Sequence, residues 1–125
     1  MNKIIEADSA PAAIGPYSQA VVNGDLLFVS GQLPIQPNKG NIVCGDIAGQ
    51  ARQSLENVKS ILEKAGYGMT DVVKTTCYLT DMKDFTVVNE IYAEYFVENY
   101  PARSCVSVKE LPKQALFELE VIACK

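Results

Sequence analysis

Apolar positions recur along the chain with two different periods, and the switches between them predict its elements. Ile4-Ile5 suggests a short first strand, followed by a Pro/Gly-marked loop from Ala10 to Pro16. The apolar runs Tyr17 to Val22 and Leu26 to Ser30 flank Asn23-Gly24-Asp25, a hairpin signal. Pro34, Pro37, Asn38 and Gly40 then mark an irregular excursion. From Ile47 the period becomes helical: Ile47, Ala51, Leu55, Val58 and Leu62 share a face, with Asp46 at the N-cap and Gly66 just past the end. Gln50, Arg52, Gln53, Glu56 and Lys59 supply the wet face of this helix. The β-branched run Val72 to Leu79 predicts a strand. Asp84 can cap a second helix whose apolar stripe is Phe85, Val88, Tyr92, Tyr95 and Phe96, ended by Pro101. Two last strands, Arg103 to Val108 and Leu116 to Cys124, are joined around Pro112.

The predicted order, β-β-β-α-β-α-β-β, is an α+β fold: a mixed six-stranded sheet with two helices on one face. No repeat or linker divides it, so residues 1–125 are expected to form a single domain. Two helices can cover only one face of such a sheet. Yet Leu26-Leu27-Phe28-Val29 is apolar at both parities. In the last strand Phe117, Leu119, Val121 and Ala123 share one face while Leu116 and Ile122 lie on the other. A sheet apolar on both faces calls for another chain against the second, so a homo-oligomer is expected rather than a monomer with a few exposed aliphatics.

Composition narrows the chemistry. The 125 residues are 48% hydrophobic and 21% charged, an ordinary globular mix, and the net charge of −4 makes a nucleic-acid partner an unfavoured expectation. There is no His, which removes Ser-His-Asp and Cys-His pairs, HExxH zinc sites and His-ligated iron. Acid–base work then falls to carboxylates, Tyr, Cys, Lys or bound water. The cysteines at 44, 77, 105 and 124 form no CxxC, so zinc or iron–sulfur spacing is lacking and free thiols in a reducing cytoplasm are the expectation. No leader-like or membrane-spanning apolar run and no GxGxxG, P-loop or GxSxG motif occurs; neither metal nor cofactor is expected.

Alternation puts Arg103, Cys105 and Ser107 on one face of their strand, and Glu118 and Glu120 together on the face of theirs turned from the helices. Two acids among aliphatics want a cationic partner or a wet cleft. Arg103 is the natural partner: its fork either bridges a Glu or grips a small carboxylate. Cys105 is either a thiol with a lowered pKa or a small buried hydrophobe. Tyr17, after Gly15-Pro16, is aimed into a cleft or begins a core strand. Ser30-Gly31-Gln32 allows close backbone approach to a ligand or forms a bulge. Asn89 is a site residue or a solvated one.

The segments Ala12-Ala13-Ile14-Gly15-Pro16-Tyr17-Ser18-Gln19-Ala20, Val29-Ser30-Gly31-Gln32, Gln50-Ala51-Arg52-Gln53-Ser54-Leu55 and Pro101-Ala102-Arg103-Ser104-Cys105-Val106 resemble, in order, the reactive-intermediate deaminase family (RidA, also called YjgF-type). The resemblance implies a chorismate-mutase-like fold and a homotrimer with sheets inside, helices outside and sites in the clefts between subunits. It also implies hydrolysis of 2-imino acids and their enamines, such as 2-iminobutanoate and 2-iminopropanoate, to 2-oxo acids and ammonia, without a cofactor. Arg103 would clamp the substrate carboxylate, Glu118 would hold and activate the water, and Tyr17 would close the pocket. Cys105 through its N–H, Gly31 through its carbonyl, Ser30 beside it and Asn89 would complete the substrate contacts. Alternation alone does not choose between Glu118 and Glu120; the family spacing favours Glu118. Ribonuclease or translation-inhibitor activity, also known in the family, and a non-enzymatic trimer binding 2-oxo acids are the competing expectations.

Overall fold

The computed structural model describes residues 2–43 and 45–125; Cys44, one of the expected free thiols, lies outside them. The strands are β1 (Lys3–Ile5), β2 (Ala20–Asn23), β3 (Leu26–Gln32), β4 (Val72–Leu79), β5 (Ala102–Ser107) and β6 (Phe117–Cys124); the helices are α1 (Ile47–Lys64) and α2 (Phe85–Tyr95). They form one mixed sheet ordered β1-β2-β3-β6-β4-β5, in which only the β4–β5 pair is parallel, as the α2 crossover between these strands requires. Among the described residues no helix is long and apolar enough to cross a membrane.

Local chemistry accounts for most boundaries. A two-residue turn joins Asn23 to Leu26, with Gly24 at φ 61° supplying its left-handed corner. The α1 N-terminus is capped by Asp46 Oδ1, which accepts from the Gly49 N–H at 3.1 Å. Its C-terminus closes with Gly66 at φ 83°, the Tyr67 and Gly66 N–H groups donating to the Leu62 and Glu63 carbonyls.

Four expectations need correction. Gln50 is buried, not wet: its Oε1 accepts from the Leu116 N–H at 2.8 Å. Asp84 makes no side-chain cap; Asp81 instead accepts from the Lys83 N–H at 2.9 Å and caps the turn that leads into α2. That helix stops at Tyr95, well before Pro101, because Phe96 turns to extended backbone and Asn99 adopts φ 51°. Finally, β2 starts at Ala20 rather than Tyr17. Buried Gln19 ties the loop before it, accepting from the Ala7 N–H at 2.6 Å and donating to the Pro11 carbonyl at 2.6 Å.

Both helices pack on one sheet face. Ala51, Leu55, Val58, Ile61 and Leu62 of α1, with Val88, Ile91 and Tyr92 of α2, bury against Leu27, Val29, Leu79, Phe117, Leu119 and Val121. Pairing aligns a row on this face from Ile5 through Ala20, Val29, Val121 and Thr75 to Arg103. The row displaced by one residue lies on the other face: Ile4, Val21, Phe28, Ile122 and Lys74. There Ile4 is 60% and Phe28 43% exposed, so the apolar second face anticipated from the double parity of β3 is bare within the chain.

Leading into β6, Lys113 and Gln114 both take left-handed backbone, at φ 57° and 59°. An L side chain there costs about 1–2 kcal/mol per residue. Gln114→Gly should therefore raise unfolding stability by about 0.5–1 kcal/mol, the relief being partly offset by the freer unfolded chain. A shifted urea midpoint at unchanged m-value is the readout; an equal or lower midpoint contradicts it.

Candidate active site

Two groups of candidate residues are built on opposite faces of the sheet. The first forms where β3 breaks its register. Val29 pairs with Val121 and Gln32 with Leu119, so Ser30 and Gly31 stand opposite Glu120 alone, a bulge. It is tied down locally: the Ser30 N–H donates to the Gln19 carbonyl at 2.9 Å and its hydroxyl to the Ser18 carbonyl at 2.7 Å. A Cβ on Gly31 would lie 2.8 Å from the Glu118 carboxyl carbon, so glycine here makes room for that side chain. Ligand approach and bulge, posed as alternatives for Ser30-Gly31-Gln32, thus coexist.

Alternation left Glu118 and Glu120 equivalent, but their surroundings differ. Exposed Glu120 accepts from the Tyr78 hydroxyl at 2.9 Å. Half-buried Glu118 has no hydrogen-bond or ion-pair partner among the described residues. Burial first, and the charge of Glu120 second, push its carboxyl pKa above the ordinary value.

Tyr17 lies on the loop before β2, not in a core strand. Its hydroxyl accepts from the Ile14 N–H at 3.2 Å, and its ring, 48% exposed, borders two hollows. One is a narrow recess that it shares with Pro11, Gly31, Leu33 and Ile35; the other is a cavity of about 460 Å³ that it lines with Glu6, Asp8 and Ala10.

The second group sits on the helix-facing side of β5, an edge strand. Arg103 is exposed and donates from Nη1 to Asn89 Oδ1 of α2 at 2.8 Å. Its guanidinium lies 4.8 Å from the Tyr92 ring centroid and 5.6 Å from that of Phe85, a cation–π arrangement. Among the described residues it forms no ion pair. The pairing of Arg103 with Glu118 or Glu120 that the sequence made natural does not occur within the chain, since β4 separates β5 from β6 and the side chains point to opposite faces. Asn89 is half-buried, with its polar end committed to the guanidinium.

Cys105 is half-buried beside Cys77 of β4, its register partner. Burial raises the Cys105 pKa, only partly opposed by Arg103, and pushes Cys77 up to about 12. The lowered-pKa reading of Cys105 is therefore corrected: its thiol stays protonated, as a small hydrophobe does.

Sequence reading missed the aromatic platform under Arg103, because Phe85 and Tyr92 count as core stripe. The available signal was Phe85, Asn89 and Tyr92 at i, i+4, i+7, a polar residue set inside an apolar face. Gln19 was also missed; a glutamine inside the run Tyr17 to Val22 was its only trace.

A family model described as Endoribonuclease L-PSP matches residues 7–125. The chain is 56% identical over its whole length to a RutC family protein of Pyrococcus horikoshii, 99% of which is covered. It is 48% identical, again over its whole length, to the 2-iminobutanoate/2-iminopropanoate deaminase of Escherichia coli, also 99% covered. The crystal structure of E. coli TdcF with bound serine superposes with a TM-score of 0.94 at 48% identity, covering 98% of each chain.

Proposed function

The chain belongs to the Endoribonuclease L-PSP family, the RidA (YjgF-type) group its motifs resemble, and on that premise we propose that it hydrolyses 2-imino acids and their enamine tautomers to 2-oxo acids and ammonia. One observation carries the reading: an exposed guanidinium, pre-oriented by Asn89 and two rings, with no carboxylate among the described residues to neutralise it. Such a cation suits a short organic anion, held through two parallel hydrogen bonds. That a relative binds serine and others are named for 2-imino acids agrees in size and charge.

Arg103 holds the substrate carboxylate, and Glu118 takes a proton from a water aimed at the imine carbon. Attack forms a C–O bond and a carbinolamine; proton transfer to nitrogen and collapse then break the C–N bond, releasing ammonia and the 2-oxo acid. The iminium carbon is already electrophilic, so no covalent nucleophile is needed. The raised pKa of Glu118 makes it a stronger base than an ordinary carboxylate. Tyr17 closes the pocket, and Ser30, Gly31 and the Cys105 backbone supply the remaining polar contacts.

Because Arg103 and Glu118 face opposite ways, one protomer's Arg103 meets another's Glu118. The bare apolar row Ile4-Val21-Phe28-Ile122 is the surface that brings protomers together, as a homotrimer with sites in its clefts.

The test is 2-oxobutanoate release from threonine by a pyridoxal-phosphate dehydratase, with and without the protein. Faster release of the oxo acid at constant dehydratase supports the reading. Binding of 2-oxobutanoate with no rate effect would instead make the protein a metabolite binder. The family's ribonuclease name fits this chain less well, since a net charge of −4 disfavours a phosphate backbone and the lack of His removes the usual acid–base pair.

Gly31→Ala should separate folding from chemistry. The new methyl meets the movable end of Glu118, which swings away at little cost, so stability should change by less than about 1 kcal/mol while activity falls at least about tenfold. Steady-state kinetics beside a thermal melt reads both; full activity would remove Glu118's position from the account.

A further inference from the structure

The helix-facing row that ends in Arg103 is apolar except at Thr75, which is fully buried and pairs directly with Arg103 across β4 and β5. Its hydroxyl lies 2.8 Å from the Tyr92 hydroxyl, itself buried. Val and Phe would fill the same volume without desolvating two hydroxyls, so packing does not explain the pair. Its consequence lies on the ring. Tyr92 is wedged between Phe96, at a centroid distance of 4.5 Å, and the Arg103 guanidinium at 4.8 Å. Fixing the hydroxyl fixes the tilt of the ring, and the ring with Asn89 fixes the plane of the guanidinium. One Nη is committed to Asn89, so the edges left for a ligand are set by that plane.

We propose that Thr75 and Tyr92 are positioning residues for anion binding: their buried hydroxyl–hydroxyl bond sets the aromatic platform that aims Arg103 at the substrate carboxylate. The inference rests on the reading of Arg103 as the clamp. Burial keeps the Tyr92 hydroxyl protonated, so the ring presents a neutral face rather than a phenolate to the cation.

Tyr92→Phe and Thr75→Val each remove this bond while keeping shape. By calorimetric titration with 2-oxobutanoate, each should bind about fivefold more weakly, the worth of one net hydrogen bond. KM for the imino acid should rise to match, with kcat within about twofold, and the double variant should be no weaker than either single one. Phe85→Leu, which thins the platform at its half-buried rim, should weaken binding in the same sense if Thr75→Val does not fold. Unchanged affinity in folded Tyr92→Phe and Phe85→Leu overturns the proposal, whatever their melting temperatures. Arg103→Ala run alongside separates the two failures: if it binds 2-oxobutanoate as wild type does, the clamp itself is wrong. If it loses binding while the positioning variants do not, only the role of Thr75 and Tyr92 falls.

Discussion

Arg103→Ala is expected to lower kcat/KM for 2-iminobutanoate by about 100- to 1,000-fold, the loss that follows when one member of a hydrogen-bonded charge pair, desolvated once the substrate is bound, is removed. The effect should appear mainly in KM, because the guanidinium grips the carboxylate in ground and transition states alike. The chain should still fold and assemble. Arg103 is exposed, and its loss costs only the bond to Asn89 and part of its stacking on Tyr92 and Phe85. Arg103→Lys should recover little, since an ammonium lacks both the fork and the flat face that the two rings support. Near-normal kcat/KM in Arg103→Ala would reject the account.

Glu118→Gln should act on the other parameter, lowering kcat by about 100-fold or more through loss of the general base while leaving KM nearly unchanged. The same change should make the protein more stable near neutral pH. Burial and Glu120 raise the Glu118 pKa in the folded chain, so between the ordinary carboxylate value and that raised one the native state binds more protons than the unfolded state. Stability contributed by this group therefore falls as pH rises through that window, and an uncharged Gln escapes the loss. The gain in melting temperature should shrink on acidification, as the wild-type carboxyl becomes neutral. In the enzyme, the acid limb of kcat should follow the raised pKa. Glu120→Gln should move that limb to lower pH without abolishing it, since burial is the larger cause. A Glu118→Gln protein with wild-type kcat, or an acid limb unmoved in Glu120→Gln, would contradict this.

Much of the architecture was legible because its signals are local. The Asp46 cap, Gly66 past α1 and the Gly24 turn each answer to one residue's conformational needs, and the apolar double parity of Leu26–Val29 foretold a bare second face. What escaped was what depends on partners distant in sequence. Gln19 looks like a strand residue until Ala7 and Pro11 come round to meet its amide. Gln50 reads as wet until Leu116 reaches it. Alternation groups Arg103 with Cys105 but cannot say which face of the sheet they share; only the parallel pairing of β5 with β4 turns them to the helices. Of the two Arg103–Glu neighbourhoods open to the sequence, between strands or between chains, the geometry removes the first and leaves the second, in which both residues carry the proposed chemistry. The bulge at Ser30-Gly31 breaks the alternation on which such parity arguments depend.

Complementation between two impaired variants tests most directly whether the site is shared. Arg103→Ala and Glu118→Ala chains, each nearly inactive alone at substrate well below the wild-type KM, would be unfolded together in equal amounts, refolded and assayed at that substrate level. If each site takes its guanidinium from one protomer and its carboxylate from the next, random assembly restores about a quarter of wild-type activity, half of the sites having an intact Arg103 and half of those an intact Glu118. Activity no higher than that of the separate variants, from mixed oligomers shown to have formed, would mean that the two side chains do not serve one site.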